Sequence, residues 1–139
     1  MHQSIINFTN IQNSVKENQE KTNNKNNIKI IAVSKTFEIS HINPLIDYGH
    51  TDFGENKVQE AIEKWSDIKL KNQNLSLHLV GKLQSNKTKL ALKIFDYIHS
   101  LDSEKIANKI SEEQKKLNKK VKIFIQVNIG NEDQKSGVN

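Results

Sequence analysis

At 139 residues the chain is the size of one domain, and its 35% hydrophobic content suits one core but not two. It has no cysteine, which excludes a disulfide framework and a thiolate metal site. The net charge of +5 comes from 21 basic residues, all lysine; without arginine, the side chain best shaped for bidentate phosphate and base contacts, the charge is expected on solvated helix faces and not on a nucleic-acid surface.

Residues 2 to about 20 carry Ile5, Ile6, Phe8, Ile11 and Val15 at loosely helical spacing, then give way to the polar run EKTNNKNN. A helix and loop are expected over 1–27, preceding a single α/β unit over 28–139. No basic stretch leads into an apolar run at the N-terminus, and no apolar stretch nears the ~18 residues of a membrane span. A cytoplasmic chain without membrane contact is the expectation.

Residues 28–33 form a short, β-branched apolar run, the pattern of a strand buried on both faces of a parallel sheet, and it ends at Ser34-Lys35-Thr36. Residues 40–48 place Ile42, Leu45 and Ile46 on one helical face closed by Gly49, with Pro44 in or just beyond the first turn. A brief strand at 51–53 leads into a helix over 55–65, where Val58, Ala61, Ile62 and Trp65 repeat at three and four residues. The alternation continues as strand 75–80, helix 87–95, strand 97–99, helix 102–117 capped by Asp102 or Ser103, and strand 121–127. Five strands alternating with helices define an α/β fold with a parallel sheet, either barrel or doubly wound layer. A closed barrel of this type takes eight strands and ~250 residues, so five would leave two unpaired edges. Residues needed for a full barrel are therefore expected to be missing.

Lys35 stands where the first strand runs out, and in parallel α/β folds ligands and catalytic groups gather at the carboxyl ends of strands. A lysine partly screened from water has its charged form disfavoured, leaving more free amine to attack an aldehyde. By position alone, the plainer reading of such a lysine, a solvated loop residue, prevails. Further blocks surround it: AVSKT (32–36), DFGENKVQE (52–60), HLVGKLQSNK (78–87), HSLDS (99–103), QVN (126–128) and KSGV (135–138).

In this order and at these separations the blocks resemble the pyridoxal-phosphate homeostasis proteins, a family similar to the N-terminal barrel of alanine racemase. The resemblance runs from about residue 28 to the end. It implies a partial (β/α)8 TIM barrel of the fold-type III pyridoxal-phosphate class, with about five of the eight β/α units present. It also implies that pyridoxal 5'-phosphate is held as a Schiff base on Lys35, with Asn56 of the GEN motif lining the pocket. Members of the family carry or regulate the cofactor pool without robust turnover, so no catalytic residue is expected. The implied partners are the small-molecule cofactor and the apo-enzymes that receive it, for a monomeric protein. The phosphate cradle of the family lies in C-terminal segments, so weaker cofactor binding than in a complete barrel is expected.

The remaining candidates have plainer roles. Glu55 and Glu60 are expected to begin a helix and cover its outer face, His78 and His99 to be hydrogen-bonded core histidines, and Gln84, Ser85 and Asn86 to cap a helix or shape the pocket mouth. Lys135 of the KSG block is a candidate second amine near the cofactor, and Lys82 departs from the histidine or proline more usual in the family. The five histidines show no metal-ligand spacing and the five glycines no phosphate loop. Two other functions fit the same residues: a racemase-like enzyme, for which the second base is not evident, and a non-binding remnant or basic interaction module.

Overall fold

The computed structural model describes residues 1–139. Its elements follow the expected order: α1 (Gln3–Lys21), β1 (Ala32–Val33), α2 (Ile39–Tyr48), β2 (Asp52–Glu55), α3 (Val58–Lys71), β3 (Ser76–Leu79), a 3-10 turn (Ser85–Lys87), α4 (Thr88–Ile94), β4 (Tyr97–Leu101), α5 (Glu104–Leu117) and β5 (Lys122–Ile125). Two helix ends fall where their chemistry puts them. Ser103 Oγ accepts from the Ile106 N–H at 3.3 Å, supplying an orphan donor of the first turn of α5 with an acceptor. Gly49 closes α2 at φ 104°, a left-handed conformation that suits a residue without Cβ.

All five strands are parallel, in the order β1-β2-β3-β4-β5. Chain neighbours are sheet neighbours throughout, which is the order of a barrel wall; a doubly wound sheet reverses at a switch point. The choice left open by periodicity is thereby made for the barrel type. β1 and β5 are the two edges of this five-strand wall.

Strand alternation divides the sheet into two faces. Phe53, Glu55, Leu77, Leu79, Ile98 and Ser100 are buried on the helix-covered face. There the apolar ones join Ala61 and Trp65 of α3, Leu92 of α4 and Ile106 and Ile110 of α5 in a cluster of 17 buried residues. Each large side chain so buried contributes about 1.5–3 kcal/mol. α1 packs on α2 through Phe8, whose ring lies 6.3 Å from that of Tyr48 and 4.4 Å from that of His50.

Two expectations, for the first strand and for Glu55, need correction. The first strand is only Ala32–Val33 and is not buried on both faces: Val33 is 49% exposed and Ile28 43%. β1 pairs with β2 alone, so nothing covers its second edge and its inner face is open. Pro44 falls just beyond the first turn of α2, as expected, and its missing N–H leaves a gap in the helical hydrogen bonding. Glu55 does not begin a helix. It is the last residue of β2, paired in register with Leu79, with its carbonyl accepting from the Val80 N–H at 2.9 Å, and α3 starts three residues later.

Candidate functional site

The carboxyl ends of β1 and β2, which the two proposed cofactor residues follow, lie side by side. Val33 and Gly54 are the last registered pair, and the Ser34 N–H donates to the Gly54 carbonyl at 2.8 Å. Lys35 and Asn56 each come two residues after that pair, beyond the ends of their strands, Lys35 in the turn after β1 and Asn56 in the bend after β2. Lys35 is exposed and in no ion pair, so the screening expected of it is not found. The open inner face over the edge strand β1 is the reason.

Asn56 lines a cavity of about 390 Å³ together with Lys57, Val58, Gln59, Lys82, Gln84 and Lys87. Three lysines and no carboxylate make this a basic recess. None of the three lysines is in an ion pair. Gly81 permits its shape, because a Cβ there would collide with the backbone and side-chain oxygens of Asn56. Of the LQSNK residues, Gln84 thus lines the recess, and it makes no side-chain cap to the 3-10 turn that follows. Lys35 does not line this cavity. Thr36 lines a second one on the other side, with Phe37, Glu60 and Lys64 among its walls.

Behind Lys35, on the helix side of the sheet, lies a polar cluster that sequence reasoning missed. Oε1 of the fully buried Glu55 accepts from Ser34 Oγ (2.8 Å), Lys64 Nζ (2.8 Å) and Trp65 Nε1 (2.9 Å). Lys64 Nζ also donates to the Ser34 carbonyl (2.8 Å) and pairs with Glu60 (3.1 Å). Glu60 in turn accepts from the Thr36 N–H at 2.6 Å. That hydrogen bond, together with Lys64, outweighs partial burial and holds the Glu60 carboxyl below its ordinary range. A signal for part of this was present: Glu60 and Lys64 have the i,i+4 spacing of a helical ion pair. Ser34 and Glu55 both face α3, but only the pairing of β1 with β2 reveals it.

A second polar group runs along the inner face. His78 Nε2 meets Asp52 Oδ1 at 2.9 Å, and His78 Nδ1 meets His99 Nε2 at 2.9 Å. Lys29 reaches Asp52 at 3.3 Å and, like Lys122, the Tyr97 hydroxyl at 3.3 Å. His78 is thus a hydrogen-bonded core residue, as expected, and the partly buried His99 stacks on Phe124. Burial pushes the pKa of His50, His78 and His99 down. Burial alone would raise that of Asp52, but hydrogen bonds from His78, Thr51 and Lys29 outweigh it and hold it low.

A pH dependence follows with a definite sign. An imidazole held neutral in the folded protein is protonated on unfolding below its ordinary 6.5, so stability is full above that pH and falls as pH drops toward the folded values. Asp52 adds a loss at lower pH, beginning below its ordinary 3.8 and complete once pH has fallen through its depressed folded value. Melting temperatures measured from about pH 8 down to about pH 5 should decline once pH passes below about 6.5. A flat profile over that range would contradict neutral, buried imidazoles.

Lys135 is exposed and paired with Glu132 at 3.2 Å, while the neighbouring Gly137 N–H donates to Asp102 at 3.1 Å. No three His, Cys, Asp or Glu side chains are grouped to hold a metal ion. No helix is long and apolar enough to cross a membrane.

A parallel wall in barrel order, with its strands alternating with helices, defines the class: part of a β/α barrel. More particularly, the chain matches the family "alanine racemase, N-terminal domain" over residues 6–139, and it belongs to that family. It is 42% identical over 129 residues to a pyridoxal phosphate homeostasis protein of Pasteurella multocida (strain Pm70), an alignment covering 93% of this chain and 54% of that one. The PipY structure of Synechococcus elongatus PCC7942 with pyridoxal phosphate bound is 34% identical, with a TM-score of 0.73, covering 88% of this chain and 57% of that one. Alanine racemase of Clostridium difficile 630 shares the fold at a TM-score of 0.65 and 18% identity, over 91% of this chain and 32% of that one. The chain spans about half the length of the curated relatives it matches.

Proposed function

We propose that this chain binds pyridoxal 5'-phosphate covalently through Lys35 and serves the intracellular homeostasis of that cofactor. The observation that carries this is that Lys35 and Asn56 follow the carboxyl ends of the paired strands β1 and β2, with Asn56 lining the basic recess. The residues present fit the group. An exposed amine without an ion-pair partner is free to react, and a recess of about 390 Å³ with three unpaired lysines suits a small anion. Pyridoxal 5'-phosphate supplies an aldehyde, to which a neutral lysine amine adds with loss of one water.

Each residue then has a separate task. Lys35 provides the amine at the rim. Asn56, packed against Gly81, offers an amide donor and a carbonyl acceptor at the edge of the recess. Lys57, Lys82 and Lys87 set a positive potential that draws an anion toward the rim. The names of the relatives support a carrier over a catalyst, while the alanine racemase likeness, at 18% identity, speaks for the fold alone. The full proposal is a cytoplasmic, monomeric carrier, without turnover, that passes the cofactor to enzymes dependent on it.

Incubation with pyridoxal 5'-phosphate, borohydride reduction and peptide mapping test this. One modified lysine, Lys35, is expected, and Lys35→Ala should lose the adduct and its absorbance almost completely. Modification spread over many surface lysines, or an unchanged spectrum in Lys35→Ala, would refute the assignment.

A further inference from the structure

Lys35 lies between two residues that are both tied down. Before it, the Ser34 carbonyl accepts from Lys64 Nζ at 2.8 Å and the Ser34 hydroxyl donates to Glu55 at 2.8 Å. After it, the Thr36 N–H donates to Glu60 at 2.6 Å. Thr36 holds φ at 67°, in the left-handed region where a β-branched residue is a true outlier. Such a conformation persists only where its surroundings impose it, and it gathers at functional turns. These three ties lead to one ion-paired unit, because Lys64 pairs with both Glu55 and Glu60. The amine itself stays clear of this unit: no ion pair holds it.

We propose that Glu60 and Lys64 of α3, acting with Glu55, are positioning residues for Lys35: they hold the Ser34 and Thr36 backbone so that the turn presents its amine at the strand ends. This rests on the assignment of Lys35 as the cofactor-bearing lysine. Glu60 is the member to test, because it lies near the surface at the start of α3 and its loss leaves the buried Glu55–Lys64 pair in place.

The experiment follows the rate of borohydride-trappable adduct at Lys35 against pyridoxal 5'-phosphate concentration, together with amide hydrogen exchange at Thr36 without cofactor. Glu60→Ala should lower the saturating rate about ten-fold, the size of one lost hydrogen bond to a charged group, and speed Thr36 exchange by a similar factor. The concentration giving half the saturating rate should change less than about two-fold, since the recess residues are untouched. Glu60→Gln, which keeps an acceptor oxygen, should recover most of the rate. The exposed neighbour Glu63→Ala should react like the wild type, and emission from the single tryptophan, Trp65, should show all variants folded.

Wild-type adduct formation with Glu60→Ala equally fast, or with Glu60→Gln as slow as Glu60→Ala, overturns the positioning role alone. A slow Glu60→Ala whose loss is matched by its unfolded fraction does the same. A wild-type chain with no adduct at Lys35 overturns the cofactor assignment, and this inference falls with it.

Discussion

Replacing Lys64 by methionine is expected to cost the fold about 3–5 kcal/mol, because the Glu55 carboxylate would stay buried without its cation. Lys64 is itself only 9% exposed in its side chain, so water cannot readily take over its place. Small domains have about 5–15 kcal/mol in total, so the loss is a large share of the whole. The second half of the experiment separates burial from pairing. A neutral amide in the double variant Glu55→Gln, Lys64→Met should recover at least about half of the lost stability, since breaking a buried pair costs far more than replacing it. Urea denaturation of the two variants beside the wild type measures both effects. A Lys64→Met midpoint equal to wild type would mean that Glu55 does not depend on Lys64 as a buried partner.

Trp65→Ala should be comparably severe. The indole is fully buried, packs at 5.0 Å between ring centroids on Phe53 and donates to Glu55 at 2.9 Å. Removing a buried aromatic of this size costs about 3–5 kcal/mol through lost transfer free energy and the cavity left behind. A drop in melting temperature of roughly 10 °C or more should accompany it. Trp65→Phe should lose less, keeping most of the packing while dropping the hydrogen bond. Should Trp65→Phe prove as damaging as Trp65→Ala, the hydrogen bond to Glu55 would outweigh the packing, contrary to the burial estimate.

Much of this molecule could be read from periodicity. The IIAV run, the repeat of Val58, Ala61 and Trp65, the Ser103 cap and the Gly49 stop each express a local preference, and local preferences survive folding when the core agrees with them. Element order and the α/β class followed from them. Boundaries were less legible where a residue answers to a distant partner. Glu55 reads as the start of a helix, because carboxylates favour first turns, yet pairing with β3 keeps it in the sheet. Residues 28–31 read as strand, yet β1 has one neighbour and forms only a two-residue ladder.

For the site, the divide is similar. The sequence by itself determined the alternation of strands and helices, the position of Lys35 at a strand end and, through its ordered blocks, the family. These depend on residue type and spacing along the chain. Only the tertiary structure decided that the wall is in barrel order, that the ends of β1 and β2 lie side by side, and that Glu55, Glu60 and Lys64 hold the residues on either side of Lys35. Strand register makes those placements by joining residues twenty or more positions apart, and no local pattern encodes a register that depends on the whole sheet closing over its core.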